Sequence, residues 1–213
     1  MKNYIKINQK VYDELAQEYK KKLKRYLISD KKIVAPFIDY LKKKFKGVGI
    51  LELGPGSGLN LSYFESEGFN TTAIDFSKKI INVAMDTSPK TKFVHGEFLE
   101  HDFKNSKFEG VFAKAFIHLF QKKDAILVIK KISELLKPNG AAFIATTIHS
   151  IPEEGFFEKT DYYKKLKRFR KKWTEDELIE EIERTGLTIV HKGYNIEEDI
   201  NKRWINLVVV KPK

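Results

Sequence analysis

The spacing of apolar positions along this chain changes character twice. From Val11 to Ile28, the residues Leu15, Tyr19, Leu23, Tyr26 and Leu27 stand among many charges at helical intervals, which predicts a first helix there. Ser29 or Asp30 is placed to cap a second helix, in which Ile33, Phe37, Leu41 and Phe45 recur at four-residue spacing and which Gly47 would end. The chain therefore opens with two helices before any strand.

From Val48 onward, short apolar runs alternate with helical stretches. Val48 to Leu53 reads as a buried strand, Asn60 to Gly68 as a helix, and Asn70 to Ile74 as a second strand. Ser77 is the expected cap of a helix over Lys78 to Met85, with Phe93 and Val94 a short strand and Gly110 to Ala115 another. Asp124 is the expected cap of an amphipathic helix through Leu136, closed by a turn at Lys137 to Gly140, and Ala141 to Ile148 is a further buried strand. This alternation implies βαβ units and a parallel sheet with helices on both faces.

Near the end the pattern changes again. Thr174 and Glu177 form a capping-box pair before a helix over Leu178 to Thr185, stopped by Gly186. Leu187 to Tyr194 and Trp204 to Lys211 are strand-like and are joined by the short polar stretch Asn195 to Lys202, which predicts an antiparallel hairpin. The expected fold is α/β: a Rossmann-like, doubly wound, mostly parallel sheet with an antiparallel C-terminal hairpin edge, helices on both faces, and an N-terminal helical lid.

Composition narrows the chemistry. There is no cysteine, which rules out disulfides, thiolate metal sites and a cysteine nucleophile. No cluster of metal ligands is visible, and no metal is expected. The start, MKNYIKINQK, lacks the apolar core of a signal peptide, and no uncharged stretch approaches a membrane span, so a cytoplasmic protein is expected. A net charge of +11 can indicate an anionic partner, although lysines are spread over nearly every segment.

The most specific stretch is ILELGPGSG at 50 to 58, a strand that runs into Gly54, Gly56 and Gly58. A dinucleotide fingerprint would need its third glycine where Leu59 stands, and a phosphate-binding P-loop would need a Gly-Lys-Ser/Thr ending. Both readings fail, yet the loop still invites close approach of a ligand to its backbone. In an open α/β sheet, ligands bind beyond the carboxyl ends of the strands. Asp75 stands at the end of the second strand, where a carboxylate can accept both hydroxyl hydrogens of a ribose. Phe76 can lie flat on an adenine. Glu97, after the third strand, can accept from an exocyclic amine while the Phe98 backbone amide meets a ring nitrogen.

In these motifs the chain resembles the class I S-adenosylmethionine-dependent methyltransferases. The resemblance rests on ILELGPGSG, on AIDFS at 73 to 77, FVHGEF at 93 to 98, FEGVFAKAFIHLF at 108 to 120 and LLKPNG at 135 to 140, and it covers roughly residues 11 to 148. It implies that Gly54, Gly56 and Gly58 contact the methionine and ribose part of S-adenosylmethionine, that Asp75 binds the ribose hydroxyls, and that Glu97 and Phe98 read adenine. It also implies that the Ala113 carbonyl receives the cofactor's ammonium group and that Glu52 supplies charge near the sulfonium and amine. Two positions depart from the common pattern, Glu97 and Glu52, where relatives often carry aspartate. S-adenosyl-L-homocysteine would be the product. On this reading the chain is a single domain: a helical cap at 1–46, a cofactor-binding core at 47–149, a lid insertion at 150–173, and a C-terminal helix and hairpin at 174–213.

Methyl transfer needs the acceptor lined up behind the methyl group, and a base helps when the acceptor is a hydroxyl or protonated amine. His118, after the fourth strand, and His149, after the fifth, are the candidate bases, and Lys114 ends the fourth strand. No Asn/Asp-Pro-Pro-Tyr/Phe motif follows strand four, which disfavours amide-like nitrogens as acceptors. Tyr12 and Tyr19 on the first helix and Tyr162 and Tyr163 in the insertion are candidate lid residues. Beside the latter two runs KKLKRFRKK at 164 to 172, seven of whose nine residues are basic. That run reads either as a cover over an aromatic or anionic acceptor, as a track for an RNA backbone, or as a solvated amphipathic helix. The expected function is methylation of an oxygen or nitrogen on a small-molecule acceptor, with tRNA or another RNA as the alternative.

Overall fold

Strands that are apolar on both sides need cover on both sides, and the chain supplies it. The computed structural model describes residues 1–21, 29–159, 165–197 and 202–213. Two helices, α1 (Asn3–Lys21) and α2 (Ser29–Lys44), precede β1 (Gly49–Leu53), α3 (Leu59–Ser66), β2 (Asn70–Asp75), α4 (Lys78–Thr87) and β3 (Lys92–His95). Then follow β4 (Phe108–Lys114), α5 (Lys122–Leu135), β5 (Leu136–Thr147), β6 (Glu153–Lys159), β7 (Leu166–Lys172), α6 (Glu175–Glu183), β8 (Thr188–Glu197) and β9 (Lys202–Val210). Seven strands form one sheet in the order β3-β2-β1-β4-β5-β9-β8. β1 to β5 are parallel, and β9 runs antiparallel to both β5 and β8. The Rossmann-like sheet with an antiparallel C-terminal hairpin is therefore present, and β9 is the member of that hairpin inserted beside β5. Among the described residues, no helix is long and apolar enough to cross a membrane.

Side-chain parity along each strand feeds two cores. Ile50, Phe112, Phe143 and Val208 pack on one face with Phe37 and Leu41 of α2 and Phe64 of α3. Their neighbours Leu51, Val111, Ile144 and Leu207 pack on the other face with Val128 and Ile132 of α5 and Leu178 and Ile182 of α6. This two-sided burial is why the strands read as continuous apolar runs. Phe112 and Phe143, side by side on β4 and β5, stack with ring centroids 4.8 Å apart.

Helix α1 crosses the carboxyl ends of the strands and is fastened there by polar contacts. It begins at Asn3, earlier than the expected Val11, because Tyr4, Ile5 and Asn8 extend its buried stripe. The expected end at 22–28 and the side chains of Ser29 and Asp30 lie outside the described residues. Asp124 does not cap α5; Gln121 takes that place, and Asp124 sits in the first turn. Its carboxylate accepts from the Tyr4 hydroxyl at 2.5 Å and pairs with Lys2. Burial alone would raise the Asp124 carboxyl, but these two hydrogen bonds hold it below its ordinary value. Asn8 is the buried rivet: its amide nitrogen donates to the carbonyls of Leu119 and Phe169, each at 3.2 Å, and its oxygen accepts from the Phe169 N–H at 2.8 Å. It thereby joins α1 to β7.

Three further expectations change. Leu166–Lys172 of the basic run form β7, paired with β6 in a separate two-stranded antiparallel sheet, so the solvated-helix reading fails for these residues. The Lys137–Gly140 turn belongs to β5 as a bulge: Leu136 pairs with Phe108 and Ala141 with Gly110, and Asn139 adopts a φ of 61° within it. In the capping box only one half forms. Thr174 Oγ1 accepts from the Glu177 N–H at 3.3 Å, while the Glu177 carboxylate turns to Lys171 at 2.7 Å and Lys122 at 3.0 Å. The expected cap Ser77 is present: its Oγ caps α4 by accepting from the Ile80 N–H at 3.1 Å.

Replacing Asn8 by Ala should lower the unfolding free energy by about 2–4 kcal/mol, because it leaves the buried Phe169 N–H and two carbonyls without these partners. Urea denaturation of the two proteins measures this, and a loss below about 0.5 kcal/mol would show that the rivet is dispensable.

Candidate active site

The winding of the sheet reverses between β1 and β4, which lie side by side, so their carboxyl ends open a crevice. Leu53 pairs with Ile74, which sets the glycine turn against Asp75. Gly54 has a φ of 71°, and a side chain there would come within 3.2 Å of the Phe116 ring, so only glycine lets this backbone form the wall of the cavity. Gly56 lies under Tyr19 and also lines it. Gly58 does not. With a φ of 80°, its Cβ would fall 2.8 Å from both the Ala84 carbonyl and Ser88 Oγ, so its smallness serves the packing of α3 on α4.

Asp75 is fixed through one oxygen, which accepts from the Ser77 N–H at 2.7 Å, while its other oxygen is turned toward Gly54. Burial pushes its carboxyl up to about 7; the Ser77 N–H opposes that rise and the nearby Asp13 adds to it. Asp13 in turn accepts from the Ser77 hydroxyl at 2.5 Å, which ties α1 to this corner. Glu52, at the end of β1, accepts from Asn60 Nδ2 at 3.2 Å.

Beyond β3 the chain makes a short capped turn. The two Glu97 oxygens accept from the Leu99 and Glu100 N–H groups at 3.0 and 2.9 Å. Lys131 Nζ donates to the carbonyls of Phe98, Leu99 and His101 and lies over the Phe98 ring. Burial lowers the Lys131 pKa, against the nearby Glu97 and Asp102. Glu97 and Phe98 both line the cavity, so the longer glutamate folds back to build the turn that presents Phe98.

One cavity brings together Glu52, Gly54, Gly56, Asp75, Phe76, Glu97 and Phe98 with Tyr12, Tyr19, Lys114 and His118. Tyr12 meets Phe76 edge-on at 5.9 Å and Tyr19 at 6.0 Å, so α1 roofs the crevice. His118, on a short 3-10 turn and 2% exposed, places Nδ1 3.1 Å from Thr146 Oγ1. Besides Gly58, two expected residues are absent from the wall. Ala113 is fully buried inside β4, and the next two residues, Lys114 and Ala115, face the cavity instead. Ala115 has a φ of 58°, a left-handed value that costs a non-glycine residue energy and turns the chain out of the strand. His149 hydrogen-bonds Thr147 Oγ1 at 3.1 Å, and its pKa is lowered by burial and by Arg170 and Lys172. Tyr162 and Tyr163 lie outside the described residues.

Among the cavity residues that the sequence reading missed are Arg168 and Arg170 from β7, and Lys202 and Trp204 from β9. The strand alternation of Arg168 and Arg170 was visible within KKLKRFRKK. Read as a cover over an acceptor, an RNA track or a solvated helix, the run does not single out those two positions.

Residues 50–140 match the family model described as a methyltransferase domain. The chain is 26% identical over 171 residues to an uncharacterized methyltransferase of Alkaliphilus oremlandii (strain OhILAs), covering 80% of this chain and 66% of that protein. It is 28% identical over 111 residues to a caffeate O-methyltransferase-like protein 2 of Oryza sativa subsp. japonica, covering 51% of this chain and 30% of that protein. The chain thus spans less than two thirds of the length of these curated relatives. Among solved structures, the Burkholderia thailandensis 1,6-didemethyltoxoflavin-N1-methyltransferase, determined with 1,6-didemethyltoxoflavin and S-adenosylhomocysteine, is similar at a TM-score of 0.73 and 18% identity, over 99% of this chain and 89% of that one.

The Asp75 carboxyl has a sign that stability measurements can read. Its folded pKa of about 7 lies above the ordinary 3.8, so between those values the folded protein holds the proton more firmly, and stability from this group is lost as pH rises toward 7. Asn cannot ionise. The melting temperature of Asp75→Asn relative to the wild type, without ligand, should therefore rise between pH 5 and pH 8 on thermal denaturation; a constant difference would place the Asp75 pKa near its ordinary value.

Proposed function

We propose that this chain, with residues 50–140 a methyltransferase domain of the class I S-adenosylmethionine-dependent family, transfers a methyl group to an oxygen or nitrogen of a small-molecule acceptor. The observation that carries this reading is the single cavity in which the Gly54–Gly56 turn, Asp75 and Phe98 meet the roof residues Tyr12 and Tyr19. The residues fit the cofactor. Gly54 and Gly56 leave room for a ligand against bare backbone, Asp75 turns an oxygen toward that backbone, and no basic phosphate cradle of the P-loop kind follows the turn.

When bound, S-adenosylmethionine supplies an activated methyl group on a sulfonium. Asp75 holds the ribose hydroxyls, Phe76 and Phe98 flank the adenine, and Glu52 offers negative charge to the ammonium end. Tyr12 and Tyr19 keep water out from above, which favours a substitution driven by alignment and desolvation. His118 is the candidate base. Its ring is held by Thr146, and it takes the proton that a hydroxyl or ammonium acceptor must give up.

The RNA alternative fares less well. Arg168 and Lys171 are buried, Lys171 pairs with Glu177 at 2.7 Å, and Lys172 pairs with Glu153 at 2.7 Å, so much of the basic run is turned inward or neutralised.

Calorimetric titration with S-adenosylmethionine and S-adenosylhomocysteine should show saturable one-to-one binding, with none for NAD. Binding of NAD alone would sink the reading. Asp75→Ala should weaken S-adenosylhomocysteine by roughly 100-fold or more, since both charge-assisted hydrogen bonds are lost. The carboxylate must be ionised to accept two hydroxyls, so wild-type affinity should climb by up to about tenfold per pH unit below 7 and level off above it. A flat profile with intact binding would remove Asp75 from the ribose.

A further inference from the structure

We propose that the methyl acceptor carries an oxyanion, a carboxylate or a phosphate, and that Arg168, Arg170 and Trp204 receive it; this rests on the methyl-transfer reading of the same cavity. Strand parity on β7 places Arg168 and Arg170 on one face, with Phe169 and Lys171 on the other. Phe169 packs on Tyr4 at 4.7 Å and Lys171 turns to Glu177, so the second face is committed to structure. Arg168, only 6% exposed, donates to the Tyr12 hydroxyl and lies over the Tyr12 ring at 5.6 Å. Arg170 donates to Thr147 Oγ1. Each guanidinium is thus set in place before any ligand arrives, and a planar fork matches the two oxygens of a carboxylate or phosphate.

The third donor is independent of these charges. Trp204 is 9% exposed, lines the same cavity, and its buried indole N–H has no acceptor among the described residues. Buried donors without partners are uncommon because they forfeit their hydrogen bond to water, and a ligand oxygen would restore it. Thr147, the tether of Arg170, is the cross-strand partner of Trp204 in the β5–β9 register. The guanidinium and the indole therefore belong to one corner.

The charge of the cavity divides the same way. Glu52, Asp75 and Glu97 come from the ends of β1, β2 and β3, on the cofactor side. The other side holds Lys114, Arg168, Arg170 and Lys202, with Glu197 as the acid among its described residues. A cationic cofactor end thus faces acids, and the acceptor faces a wall of donors. Phe116 and Phe120 add apolar surface, which suits an acceptor with an aromatic body.

The test uses the full chain saturated with S-adenosylhomocysteine, at fixed ionic strength, with benzoate, phenyl phosphate, neutral benzamide and a short mixed-sequence RNA as probes. Calorimetry and tryptophan fluorescence read binding. Benzoate or phenyl phosphate should bind saturably and at least about tenfold more tightly than benzamide, and the tighter of the two identifies the anion as carboxylate or phosphate. Arg170→Gln should weaken that anion by about 10- to 100-fold while S-adenosylhomocysteine affinity stays within severalfold. Trp204→Phe, which keeps an aromatic side chain but loses the pyrrole ring and its N–H, should weaken the anion severalfold and decides the matter if Arg170→Gln does not fold. Anions binding no better than benzamide would overturn the proposal. So would RNA binding tighter than either anion, or affinity unmoved in both variants. Failure of the wild type to bind S-adenosylhomocysteine would defeat the methyl-transfer reading itself, a result separable from the loss of anion binding alone.

Discussion

A parallel sheet covered on both faces must reverse its winding somewhere, and here it does so between β1 and β4. Everything at the site follows from that reversal. It leaves the ends of β1 and β4 without a crossover above them, so the glycine turn, Asp75 and the Ala115 kink border open space. The two-sided burial of Ile50 and Leu51, or Phe143 and Ile144, makes the register unforgiving. A slip by one residue would exchange the two cores and carry Glu52 and Asp75 away from the crevice.

Above the crevice the protein builds a roof from parts outside the sheet. Helix α1 buries Tyr4, Ile5, Val11, Leu15 and Ala16, and buried polar contacts fix where that stripe sits. Tyr4 meets Asp124 at α5, Asn8 pairs with the backbone of β7, and Asp13 meets Ser77 at the start of α4. Because hydrogen bonds have narrow geometry and are costly to leave unmade in the interior, they specify placement more sharply than apolar packing does. The β6–β7 hairpin is held by the same rivet, so Asn8 ties roof and hairpin together.

The chain's excess of positive charge takes a meaning only in this setting. Lys131 caps three carbonyls, Lys171 is buried beside Glu177 and over the Trp173 ring, and Arg168 stacks on Tyr12. Long basic side chains here cover apolar surface and close backbone groups. Net charge therefore says little about a polyanionic partner.

What the sequence by itself determined is the local and periodic part. Short apolar runs gave the parallel strands, Ser77 and Gly186 marked a helix start and a helix end, and the order of Gly54, Asp75 and Phe98 along the chain placed them at successive strand ends. These features rest on neighbours within a few residues, or on a rule of the fold that strand ends share one side of the sheet. Only the tertiary structure decided the rest. Gly58 faces Ala84 and Ser88, His149 sits outside the cavity wall, Asp124 binds Tyr4, and Arg168, Arg170 and Trp204 enter the cavity from strands far along the chain. Each of those outcomes depends on a contact between residues distant in sequence, and neither spacing nor composition carries information about which distant group will be there.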